Sequence, residues 1–155
     1  MASTHRRTLS DLLPAAALGS VRSINALEEQ NASRSTAAVA ATTTLSLLRA
    51  EGNVQLRRVV FIPDTALAGD AANNWTLQLA NKKTDGSTGA VNVGSAFTTT
   101  ASPNNSLVAF NAVILFEGAT TLADDNVLAL ICTKNAVAAD LPAGVVQITF
   151  VPYLD

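Results

Sequence analysis

From residue 36 onward the chain is written as short apolar runs separated by Gly, Asn, Asp and Pro. The most sharply bounded run is 52–63. It opens on the turn pair Gly52-Asn53, passes through β-branched and aromatic residues, and closes on Pro63, which has no N–H to give a sheet ladder. Val54 and Leu56 alternate with Gln55 and Arg57, the period of a half-buried strand, and 59–62 is apolar on both faces, so the second half is expected to be central. Residues 75–81 alternate cleanly, with Trp75, Leu77 and Leu79 against Thr76 and Gln78. Further strands are predicted at 90–93, 96–100, 106–116, 127–133 and 145–151. Turns are predicted at Asp85-Gly86, Pro103-Asn104, Glu117-Gly118 and Pro142-Ala143-Gly144. Residues 36–49, rich in Ala and Thr and ending in Leu47-Leu48-Arg49, read as one more strand, joined by the short link 50–53 as a hairpin to 54–62. Seven or eight short strands with turn signals between them predict an all-β domain, a β-sandwich, with a jelly roll preferred over other Greek keys.

The first 35 residues break this pattern. Ser10-Asp11 can cap a short helical turn carrying Leu12, Leu13 and Leu18, limited by Pro14 and Gly19, and 23–30 places Ile24 and Leu27 three apart with Glu28 and Glu29 outward. Helices this short are marginal alone in water. The division expected is therefore an N-terminal arm of short helices, 1–35, and a β-sandwich domain, 36–155.

Composition narrows the function more than it names it. Of 155 residues, 48% are hydrophobic and only 14% charged, with Thr, Ser and Asn where Lys and Glu usually stand, a surface suited to contacts in an assembly. The formal net charge of −2 and the scattered arginine pairs Arg6-Arg7 and Arg57-Arg58 lack the clustered basic face of nucleic-acid binding. No apolar run reaches the ~20 residues of a membrane-spanning helix, and the N-terminus lacks the apolar core of a secretory signal. A soluble protein made in a reducing compartment is expected. The one cysteine, Cys132, excludes an internal disulfide framework and reads as a small core side chain.

The one histidine is His5, so no histidine triad or His-ligated metal site can be built in the β-domain. Paired carboxylates for sugar chemistry would have to come from Asp64, Asp70, Glu117, Asp124, Asp125 and Asp140, all in turn contexts where carboxylates cap local backbone N–H groups. Asp124-Asp125-Asn126, and Asp70 with Asn73-Asn74, offer oxygens to Ca²⁺ but lack EF-hand spacing. No catalytic residue, metal or cofactor is expected.

The Ala/Thr/Val-rich strands, with 124–130 (Asp-Asp-Asn-Val-Leu-Ala-Leu) and 141–150 (Leu-Pro-Ala-Gly-Val-Val-Gln-Ile-Thr-Phe), resemble tailed-bacteriophage capsid decoration, or cement, proteins. The resemblance covers the β-domain and carries no motif that transfers residue by residue. It implies a small, non-enzymatic β-rich subunit, a homotrimer whose partner is the major capsid protein. It also implies a place on the outer surface of the virion, after synthesis in the host cytoplasm, bridging neighbouring capsid subunits without nucleic acid or membrane. Under that reading the arm residues Arg6, Arg7, Leu9, Leu12, Leu13 and Leu18 are the candidates to reach the shell or a neighbouring subunit. Two other classes remain open: a receptor- or glycan-binding sandwich at a virion tip, which needs exposed aromatics although most here lie in core patterns, and a carboxylate-dependent glycosidase.

Overall fold

A computed structural model describes residues 28–84, 90–101 and 105–152. Eight strands make up the regular structure of these residues: β1 (Gln30–Thr36), β2 (Thr43–Arg49), β3 (Val54–Pro63), β4 (Trp75–Asn81), β5 (Val91–Thr98), β6 (Val113–Leu122), β7 (Val127–Lys134) and β8 (Gly144–Pro152). They form two four-stranded antiparallel sheets, ordered β1-β8-β3-β6 and β2-β7-β4-β5. The apolar positions of both sheets join in one core. Leu56, Val59, Phe61, Val146 and Ile148 come from the first sheet, and Trp75, Leu77, Leu79, Leu128, Leu130 and Cys132 from the second. The result is a sandwich-like all-β domain, in which each fully buried aliphatic or aromatic side chain contributes about 1.5–3 kcal/mol of transfer free energy.

β3 lies between β8 and β6, as its doubly apolar second half requires. A β-bulge explains its odd pattern. Leu56 pairs with Phe150 and Arg58 with Thr149, so Arg57 is the extra residue. The insertion shifts the alternation by one: Val54 and Leu56 point inward before it, Val59 and Phe61 after it, and two successive arginines face solvent.

Several sequence expectations change, and the strand expected at 36–49 shortens to β2, Thr43–Arg49. β2 does not form a hairpin with β3; it pairs with β7 in the other sheet, because both edges of β3 are occupied by β6 and β8. The link from Ala50 to Asn53 therefore crosses between sheets, turning at Gly52 (φ 83°) and held by Ala50 N–H to the Asn126 carbonyl at 2.9 Å. Glu117-Gly118 is not a turn but an irregularity inside β6, where Leu56 pairs with Thr120 and Arg58 with Glu117. The two pieces expected at 90–93 and 96–100 are largely one strand, β5, bulged at Gly94 (φ 69°). Finally, Gln30, placed at the end of a helical segment, begins β1, and β1 takes up residues assigned to the arm. Pairing of Gln30–Thr36 along β8, from Phe150 to Gly144, supplies a ladder that local helix propensity cannot match. The other residues of the proposed helices, and the arm residues Arg6, Arg7, Leu9, Leu12, Leu13 and Leu18, lie outside the described residues.

Candidate functional site

The topology gathers four connections at one end of the sandwich: β1–β2, β3–β4, β5–β6 and β7–β8. They are tied to each other as well as to their own strands. Val39 and Leu141 exchange backbone hydrogen bonds, and so do Leu67 and Leu107. Asn135 Nδ2 donates to Asn74 Oδ1 at 2.7 Å, Asp64 N–H donates to the Ala143 carbonyl at 2.8 Å, and Lys134 Nζ reaches the Ala40 carbonyl at 2.8 Å. Lys134 also lies 5.8 Å from the centre of the buried Trp75 ring, whose Nε1–H donates to the Ala139 carbonyl at 2.7 Å. The loop end is a cross-braced platform.

Its tips are apolar. Val137 is 85% exposed and Phe110 78%; Val108, in the same β5–β6 connection, and Ile114, at the start of β6, are about half exposed. Of the large hydrophobics exposed among the described residues, only Val91 lies at the other end. Phe110 also has φ 59°, a left-handed conformation that costs a residue with a Cβ roughly 1–2 kcal/mol. Two hydrogen bonds hold it there: its own N–H to the Pro63 carbonyl at 2.8 Å, and Asn111 N–H to the Val108 carbonyl at 3.0 Å. A bulky ring is thus fixed in an unfavourable backbone state and pointed at water. Burial does not explain it.

Reading 106–116 as one apolar strand hid this feature and left Phe110 among the core aromatics. The signal available was Asn111, a turn-favouring residue directly after Phe110, inside a run with no clean alternation. Val137 carried a weaker one, standing in Asn-Ala-Val-Ala-Ala-Asp with no strand period.

Asp70 and Asp124 serve the turns, whereas Glu117 lies within β6. Asp70 accepts from the N–H groups of Ala72 (2.8 Å) and Asn73 (2.6 Å), and these bonds, Asn73 first, lower its pKa below the ordinary carboxylate value. Asp124 accepts from Gly52 N–H at 2.6 Å and Asp125 N–H at 3.0 Å; Asp125 meets Arg49 at 3.0 Å, and Asp140 meets Lys134 at 3.5 Å. Among the described residues no group of three or more His, Cys, Asp or Glu is placed to hold a metal ion. Cys132 is fully buried, and desolvation pushes its thiol up to about 12, so it is neither a nucleophile nor a ligand at neutral pH. No helix among the described residues is long and apolar enough to cross a membrane.

No protein-family model, curated protein or solved structure matches the chain. The apolar loop end therefore has to be read from its own chemistry.

Proposed function

We propose that this chain is a non-enzymatic capsid decoration protein, binding the outside of a phage head and bridging neighbouring major capsid subunits as a homotrimer. The observation that carries the reading is the braced loop end with its apolar tips, above all Phe110. A rigid platform presenting exposed aromatic and aliphatic side chains suits docking on a protein surface, where such residues become buried anchors. The strand orders β1-β8-β3-β6 and β2-β7-β4-β5 support a finer reading of the fold as a jelly roll, the two-Greek-key wiring common in viral capsid domains. Low charge fits a subunit that spends its working life in contact with others.

The mechanism is mechanical. Each trimer makes several modest contacts, and linking them raises the effective concentration of every remaining contact once the first has formed. Binding only to the assembled shell stabilises that shell by mass action. The arm residues Arg6, Arg7, Leu9, Leu12, Leu13 and Leu18 add a second contact in this account. Deleting residues 1–20 is expected to leave a folded, trimeric β-domain that no longer co-sediments with capsids; full retention of binding would remove the arm from the mechanism. A glycan-binding tip would use the same exposed Phe110 as a stacking surface. A glycan array with hits lost on replacing Phe110, together with no binding to capsids, would favour that alternative.

A further inference from the structure

Among the described residues β1 and β2 are edge strands on the same side of the sandwich, and the seam between them is incompletely closed. Leu45, Leu47 and Leu48 of β2 are only half-buried, although Leu45 and Leu48 sit opposite the fully buried Leu130 and Leu128. Leu47 is the extra residue of a bulge between Ser46 and Leu48. Two cavities run along the seam and share Leu48 and Arg49: one of about 430 Å³, floored by Ala50 and Val54 and walled by Phe150 and Pro152, and one of about 320 Å³ reaching Val127 and Arg34. The opposite ends of the two sheets show no comparable row of half-buried leucines.

Gln30 lines the mouth of the larger cavity. The chain preceding it, residues 1–27, lies outside the described residues, so the point where that segment joins the domain coincides with the opening of an apolar groove. Leu27 is three residues from Gln30, within roughly 10 Å of it even when extended, and Ile24 within roughly 20 Å. Val21 completes a spaced apolar set, while Glu28 and Glu29 at the junction are exposed.

We propose that Ile24 and Leu27 of the same chain dock in the β1–β2 groove over Leu48, Val54 and Phe150, completing the core and fixing where residues 1–20 leave the domain. Attachment three residues away makes the chain's own segment the favoured occupant, because its effective concentration at the groove is on the order of millimolar or higher. The proposal concerns the domain alone and stands whether or not the capsid reading does.

Cysteine cross-linking tests it in the full-length chain, whose native cysteine is buried. Glu51 is exposed at the groove rim, so the variant Leu27→Cys/Glu51→Cys is expected to form an intrachain disulfide under mild oxidation, read as a faster-migrating monomer on a non-reducing gel. Leu27→Cys/Val137→Cys, with its second site at the loop end, should bridge at least ten-fold less. Equal bridging at the two sites, no bridging at Glu51, or a predominantly interchain dimer at Glu51 would each overturn own-chain docking. In parallel, Ile24→Ser/Leu27→Ser is expected to increase binding of a fluorescent apolar dye several-fold; no increase would count equally against the proposal. Capsid co-sedimentation is a separate readout, so failure of either idea can be recognised without the other.

Discussion

Replacing Phe110 by Asn separates display from stability. Phe110 is 78% exposed, so about a fifth of it is covered, and at 1.5–3 kcal/mol for full burial its loss removes only about 0.3–0.6 kcal/mol. Against this stands the left-handed backbone at φ 59°, which costs a Cβ-bearing residue roughly 1–2 kcal/mol and which Asn adopts more readily. Relief of half that cost, about 0.5–1 kcal/mol, offsets or exceeds the lost burial. Phe110→Asn should therefore leave the domain as stable or up to about 1 kcal/mol more stable, a rise of roughly 2–4 °C in melting temperature at this chain length. Urea unfolding with an unchanged m-value is the assay. In the same variant, binding to the partner surface should weaken by about 2 kcal/mol or more, the scale of an anchor residue, roughly thirty-fold in Kd. A loss of stability above about 1 kcal/mol would refute the reasoning, because it would mean that the ring packs rather than projects.

Three further outcomes follow from the packing and the titrating groups. A Cβ on Gly144 would meet the Ile62 carbonyl oxygen, the Phe61 ring and Pro63 Cα, mostly backbone that cannot yield, so Gly144→Ala should cost roughly 2–3 kcal/mol in urea unfolding; wild-type stability would show that β3 and β8 can separate locally. Because burial raises the Cys132 pKa, the native fold favours the neutral thiol: the stability this gives is complete below the ordinary value of 9.0 and drains as pH rises from there towards about 12. Iodoacetamide should accordingly leave Cys132 unmodified at pH 8 in the native state and label it promptly in urea. Asp70 shifts the other way, so its contribution to the 64–74 loop is present above the ordinary value of 3.8 and lost as pH falls through its lowered native pKa. Exchange protection at the Asn73 amide should fall there in the native sequence but not in Asp70→Asn, whose side-chain oxygen still accepts without titrating.

The strands that read most clearly in the sequence are those whose pattern is set by burial: 75–79 alternates because one face meets the core, and 127–132 is apolar throughout because β7 lies inside its sheet, between β2 and β4, over the core. What the sequence hid is long-range. Nothing local distinguishes a four-residue hairpin from the four-residue crossing between sheets at Ala50 to Asn53; the choice is made by β6 and β8, which occupy both edges of β3 from far along the chain. Gly94 and Gly118 sit at irregularities inside β5 and β6, and a glycine gives the same sequence signal at a bulge as at a hairpin. The apolar loop end was illegible for a related reason. An exposed Phe and a buried Phe are the same letter, and only the tertiary contacts that lock Phe110 at the Pro63 carbonyl turn it outward.

The central claim is that this chain binds an assembled shell through its loop end. Its most direct test is sedimentation of the purified protein with heads assembled from a tailed-phage major capsid protein, titrated to saturation. The account predicts saturable binding at a fixed number of trimers per shell, absent with unassembled capsid protein and weakened about thirty-fold by Phe110→Asn. Protein that stays in the supernatant at every concentration, or that pellets equally well with Phe110→Asn, would contradict it.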